Sequence, residues 1–297
     1  MLQPDFSHAP LKEATLPTLD PGSPGAATAR VPVLDLAGRT DVGKVRERNE
    51  DQFVIAHLGR WLAVEQTSIG VPRELTSPQG TLLVVADGMG GQGGGNVASA
   101  VAMDSFVEHS LLEMPWLTSG SPEGDRMLSA DVSRFLVACQ EHLHAVAERK
   151  HLPPRLGTTL TAAYVQGSRL TVVHVGDTRA YLLREGALTR LTHDHTLGAA
   201  MAEAAGNPQA GEHLSHVLVN AIGGNDEKPR AEIVSMDLRA ADRLLLCSDG
   251  LHGTIDDTRV CEILAGAANA RAAVDALLEA VITRGAPDNV TAVVAFG

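Results

Sequence analysis

The chain has 297 residues, 44% of them hydrophobic and 20% charged, a globular balance that argues against an intrinsically disordered protein. Its 24 Lys and Arg against 36 Asp and Glu give a formal charge of −12 with no basic run, which argues against nucleic acid or an anionic membrane as a partner. Aromatic residues make up only 3%, so the core must be aliphatic, and the length suits one large domain or two small ones.

Residues 1–29 are rich in Pro, Ala, Thr and Ser without periodicity, which predicts a flexible tail ahead of a folded domain over 30–297. Short apolar runs predict strands at 31–36, 52–57, 82–86, 160–165, 170–175, 180–184, 243–247 and 291–296. Between them, Val97, Val101 and Phe106 follow a Gly-rich loop, and Val132, Leu136, Cys139, Leu143 and Val146 step by threes and fours, predicting two consecutive helices. A second helical pair is marked by Val260, Ile263 and Leu264, then by Val274, Leu277, Leu278, Val281 and Ile282. Strands grouped together and helices arriving in pairs point to an α+β class, with helical hairpins packed outside the sheets. Residues 67–80, 117–124 and 206–227 read as surface loops or flaps. The N-terminus lacks a signal pattern, no apolar run approaches the roughly 20 residues that span a bilayer, and Cys139, Cys247 and Cys261 lack CxxC pairing. A cytoplasmic protein with buried thiols is the expectation.

The chemistry lies where strands meet acid. The run 82–86 delivers Asp87 and Gly88, 170–175 delivers Gly176 and Asp177, and 243–247 delivers Ser248, Asp249 and Gly250. Glu50 and Asp51 stand just before one strand, and Asp288 and Asn289 just before the last. A single Asp-Gly is an ordinary turn. Carboxylates gathered at one sheet rim would repel each other and lose solvation, and a cation is the simplest remedy. All-oxygen ligands without a Cys/His set favour Mg²⁺ or Mn²⁺ over zinc. Two such ions about 4 Å apart can share a water, lower its pKa and aim the hydroxide at phosphorus. Arg46 or Arg48 can supply a guanidinium fork for the phosphate.

RERNED at 46–51, DGMGG at 87–91, GTT at 157–159, VGDTR at 175–179, CSDG at 247–250 and APDNVT at 286–291 together resemble the type 2C, metal-dependent protein serine/threonine phosphatases, most closely the bacterial members. The resemblance runs from about Thr40 to Phe296. It implies a central antiparallel β-sandwich flanked by pairs of helices, four layers in all, and hydrolysis of phosphoserine and phosphothreonine in phosphorylated proteins. It implies that Asp51, Asp87, the Gly88 carbonyl, Asp249 and Asp288 surround two Mn²⁺ or Mg²⁺ ions, with Glu50 acting through a water. Arg46 would bind the phosphoryl group, Asp177 matches a position that can hold a third ion, and Asn289 would orient Asp288 or a metal-bound water. The bacterial resemblance further implies a serine/threonine kinase whose action the chain reverses. Met89 stands where some relatives carry a histidine that can protonate the leaving group, which leaves the general acid unassigned, with His252 a weak candidate. The stretch 60–80 is longer than usual for the family and suggests an elaborated edge hairpin, and 197–225 corresponds to its variable flap.

Three rivals compete. Residues 88–93 match GxGxxG, but a dinucleotide site leaves Asp51, Asp249 and Asp288 unexplained and sets Asp87 against a pyrophosphate. A two-metal nuclease fits the aspartates and not the charge. A catalytically silent phosphoprotein-binding domain on the same fold is the alternative that keeps every motif. His193-Asp194-His195 imitates a ligand set, but its turn-rich setting favours a solvent-exposed or locally hydrogen-bonded role outside the site.

Overall fold

The structure, a computed structural model, describes residues 34–63, 74–91, 93–113, 122–153, 155–224 and 227–297. The expected tail at 1–29 and parts of the expected loops at 67–80 and 117–124 lie outside the described residues.

Two antiparallel sheets form the centre. One is five-stranded, ordered β1 (Asp35–Asp41), β12 (Val290–Phe296), β11 (Arg243–Cys247), β7 (Arg179–Arg184) and β8 (Ala187–Arg190). The other, of seven strands, runs β10 (Glu232–Asp237), β6 (Arg169–Val175), β5 (Leu160–Gln166) and β3 (Glu74–Met89). On it β2 (Asp51–Ala63) pairs with β3, and the short β4 (Gly157–Thr158) and β9 (Ile222–Gly223) extend it at the end of β3. Helices α1 (Gly94–Leu112) and α2 (Pro122–Arg149) cover the second sheet, while α5 (Asp257–Gly266) and α6 (Ala270–Thr283) cover the first.

Side-chain alternation in the strands builds three apolar layers. On β3, Leu83 and Val85 face the opposite sheet, whereas Leu82, Val84 and Ala86 face α1 and α2. On β12, Val293 and Ala295 join the layer between sheets, and Val290, Ala292 and Val294 pack on α5 and α6. Leu136, Cys139 and Leu143 of α2 are buried at the spacing that reads as one helix face. Both C-terminal helices are capped: Asp256 accepts from Arg259 N at 2.8 Å and Asn269 from Ala272 N at 2.8 Å.

Several elements depart from expectation. The first described strand starts at Asp35, with Leu34 ahead of it outside the strand, and residues 31–33 of the expected run lie outside the described set. The β2–β3 ladder continues past a register shift at Leu58/Gly59 to Ala63↔Glu74, in keeping with an edge hairpin at 60–80, whereas residues 74–80 are strand rather than loop. Helix α3 (Leu197–Ala205) and the one-turn α4 (Asp249–His252) carry no amphipathic stripe long enough to announce them, and β10 is half-exposed along its length.

Candidate metal centre

Antiparallel pairing brings the acidic strand ends to one rim. Asp51 opens β2 and lies directly across from Asp87 near the end of β3. Asp249 follows β11, Asp288 precedes β12, and Asp177 sits in the turn between β6 and β7. Asp51 and Asp177 are buried, while Asp87, Asp249 and Asp288 are partly open to solvent.

The carboxylates feel one another. Burial pushes Asp51 up to about 7, helped by Asp249 and Asp288 and opposed by hydroxyl hydrogen bonds. Asp87 is raised well above the carboxylate range by burial and then by Asp51, Asp249 and Asp177. Burial and Asp249 lift Asp177 to about 7, and burial and Asp288 raise Asp249. Such a cluster has an unmet demand for positive charge.

One oxygen makes that demand specific. Asp51 Oδ2 accepts from Ser248 Oγ and Thr291 Oγ1, both at 2.7 Å, but its Oδ1 is buried with no hydrogen-bond partner. An orphaned buried carboxylate oxygen is rare and costly, and an ion is a fitting partner. Close by, a Cβ at Gly95 would fall 2.5 Å from Glu50 Oε2 and 2.6 Å from the Gly88 carbonyl, so both oxygens converge on the start of α1. Gly88 in turn has no room for a side chain against the Gly95 backbone. The donors are all oxygen and suit a hard divalent cation.

The supporting hydrogen bonds are local and dense. Thr159 Oγ1 accepts from Asp87 N at 2.9 Å and Thr159 N donates to Asp87 O at 2.9 Å. Ser99 Oγ donates to Glu50 O at 2.6 Å. Arg46, largely exposed, places Nη2 2.6 Å from Asp288 Oδ2, and that bond raises its pKa. Arg48 instead lies against Gly93 at the start of α1. Asn289 is buried; its backbone N donates to Asp288 Oδ1 at 2.9 Å, and its side chain bonds the loop before β2. Its Oδ1 accepts from Glu50 N at 2.8 Å, and its Nδ2 donates to Val42 O and Arg48 O, both at 2.9 Å. The amide therefore clamps the loop before β2 to the residue that follows Asp288. His252 is also engaged: partly buried and pushed down to about 3 by desolvation, it donates Nε2–H to Asp177 O at 3.0 Å.

Sequence reasoning assigned no role to Ser248, Thr291, Thr159 or Ser99. The first three lie inside quoted motifs, and a hydroxyl beside a strand-end carboxylate was the available signal.

His193-Asp194-His195 lies beyond this rim, at the start of the segment leading into α3. His193 is 82% exposed and bonds Glu232, whereas Asp194 takes a two-pronged grip from Arg179, at 2.9 and 2.6 Å.

The sequence profile for protein phosphatase 2C matches residues 74–292. Serine/threonine protein phosphatase PstP of Mycobacterium tuberculosis is 34% identical over 270 residues, which are 89% of this chain and 45% of that protein. The chain thus spans about half the length of that relative. Serine/threonine phosphatase stp of Listeria monocytogenes is 28% identical over 257 residues, 85% of this chain and 92% of the relative. Among solved structures, the catalytic domain of PstP in complex with two manganese ions superposes with a TM-score of 0.65 at 31% identity, covering 89% of this chain and 97% of that one.

Proposed function

The chain belongs to the protein phosphatase 2C family, and from that premise we propose that it is a metal-dependent phosphatase hydrolysing phosphoserine and phosphothreonine in proteins. The observation that carries this reading is the carboxylate rim around the unpartnered Oδ1 of Asp51. Asp51, Asp87, Asp249 and Asp288, with the Gly88 carbonyl and with Glu50 through a water, would hold two Mn²⁺ or Mg²⁺ ions, and Asp177 would serve a third. The two manganese ions of the PstP catalytic domain support that stoichiometry. Bound there, divalent ions supply Lewis acidity and an acidified water to phosphoryl transfer.

The chain's own groups do the rest. Ser248 and Thr291 hold Asp51 so that Oδ2 is occupied and Oδ1 faces the rim. Arg46 presents a planar fork at the open edge, where it would bind phosphate oxygens and fix the phosphoryl group. Neither Met89, which has no proton to give, nor His252, whose Nε2–H is held by Asp177 O, is suited to protonate the leaving group, which leaves water as the donor.

Phosphorylated proteins are the substrate class, and the reading extends to reversing a serine/threonine kinase of the same cell. No helix among the described residues is long and apolar enough to cross a membrane. A cytoplasmic place of action is supported by the buried, unpaired thiols of Cys139 and Cys247.

The test is hydrolysis of p-nitrophenyl phosphate and of a phosphothreonine peptide by metal-stripped protein, with and without Mn²⁺, beside Asp249→Asn. Turnover restored by Mn²⁺ and lost in the variant is the expected result. Inactivity on both substrates would favour the silent phosphoprotein-binding alternative.

A further inference from the structure

The run His193-Asp194-His195 joins two things that the phosphatase reading leaves separate: the turn bearing Asp177 and both ends of the segment 196–220. Asp177 follows Gly176, whose φ of +109° only glycine adopts readily and whose side is closed by Thr159, so the turn has little freedom of its own. His195 grips that glycine twice. Its backbone N donates to Gly176 O at 2.8 Å, and its ring Nδ1 accepts from Gly176 N at 3.1 Å.

The same residue holds the segment. His195 O accepts from Val219 N at 2.9 Å, Leu197 N donates to Val217 O at 2.7 Å, and Thr196 bridges Leu218, so the segment leaves and returns at one place. Asn220 Nδ2 donates to His195 Nδ1 at 2.9 Å. Its amide orientation is set by Arg230, which donates N–H to Oδ1 at 3.0 Å and accepts from Nδ2 at 2.7 Å. With two donors aimed at it, Nδ1 must be the unprotonated ring nitrogen.

Nitrogens of His174 and His195 and an oxygen of Glu232 lie within 4.8 Å of one another, a spacing that could suit a metal ion. Hydrogen bonds fill it instead. His174 engages Thr161 Oγ1 through Nδ1 and His193 O through Nε2, and both oxygens of Glu232 accept from His193. The two rings lie tilted against each other, centroids 4.8 Å apart. The cluster is a bonded junction, and its free variable is how firmly the Gly176 amide is held.

We propose that His195 is a positioning residue that couples the seating of segment 196–220 to the placement of Asp177 through the Gly176 amide. The proposal rests on the reading of Asp177 as an ion ligand. Without the imidazole, the buried Gly176 N–H loses its acceptor, and the turn must shift to satisfy it, taking Asp177 along. By linkage, an ion at Asp177 holds the segment as firmly as the segment holds the ion.

The experiment measures Mn²⁺ binding to metal-stripped protein by calorimetry, with bound ions counted by electron paramagnetic resonance. Asp177→Asn is expected to lose the weakest binding event. His195→Ala should keep the tight ions and weaken that event about tenfold, the usual effect of removing a group that orients a ligand. His195→Asn should restore it, because asparagine Oδ1 reaches the place of Nδ1, and His193→Ala should match wild type. Wild-type binding by His195→Ala, with the weak event lost in Asp177→Asn, overturns the coupling alone. Wild-type binding by Asp177→Asn overturns the Asp177 assignment and the coupling with it. Should His195→Ala fail to fold, amide exchange in the native protein decides: Gly176 protection should rise as Mg²⁺ fills the weak site, and constant protection overturns the proposal.

Discussion

Two polar clusters meet at the Gly176-Asp177 turn, and they are built on opposite rules. At the rim, carboxylates face carboxylates, their pKa values are driven up, and Asp51 Oδ1 has no partner. At the junction, Arg179 holds Asp194 through two hydrogen bonds, Asp194 is held below its usual range despite burial, and the histidines bond backbone and hydroxyl groups. A cluster left unsatisfied by its own chain is where a ligand belongs, and a cluster fully satisfied is architecture. Both contain aspartates, a common ligand type, so the presence of Asp alone does not separate them.

Neutralising the two clusters should therefore have opposite signs. Asp87→Asn should lower Mn²⁺-dependent turnover by about 10³-fold, the kinetic equivalent of several kcal/mol. The same variant should raise the melting temperature of metal-stripped protein, since it removes a buried like charge. A fall in both quantities would break the contrast.

Titration sharpens it next. Asp51 and Asp177 bind protons up to about pH 7 when folded but only to the ordinary carboxylate range, near 3.8, when unfolded. Between those values the folded state holds more protons, so the unfolding free energy of stripped protein should fall as pH rises from about 4 to about 7, by a few kcal/mol. Urea unfolding at pH 5 and pH 8 reads this directly. Saturating Mn²⁺ should flatten or reverse the slope, because the ion replaces the protons.

The junction gives the smallest effect and the opposite direction. Asp194→Ala strands Arg179 and should cost about 3 kcal/mol in urea, with or without Mn²⁺. A stabilised Asp194→Ala protein would place the junction in the same class as the rim.

The rim was legible because burying a strand requires an apolar run, and the first charged residue after such a run marks where the chain surfaces. Asp87, Asp177 and Asp249 were found in that way, and Asp51 and Asp288 by reading the same signal backwards. The αββα layering followed from paired helical stripes and was completed by the family resemblance. What escaped notice depends on partners far along the chain. Asn289 looks like a neighbour of Asp288, but its amide is taken by backbone near residues 42–50. Ser248 and Thr291 read as strand residues, and only the fold brings their hydroxyls to Asp51. His195 was set aside because its turn-rich surroundings say nothing of Gly176, 19 positions earlier. Strand β10 is partly exposed and polar, and α3 is too rich in alanine to show a face.

The pairing of β1 with β12, from Asp35↔Phe296 to Asp41↔Val290, closes a loop spanning nearly the whole domain. Strand β12 lies between β1 and β11, and Asp288 and Asn289 come just before it. During synthesis β1 must wait for residues 290–296 to emerge, and a nascent chain lacks both a central strand and part of the carboxylate rim until then. Such long-range closure is slow to form. The carboxylate rim is therefore among the last features of this domain to be completed.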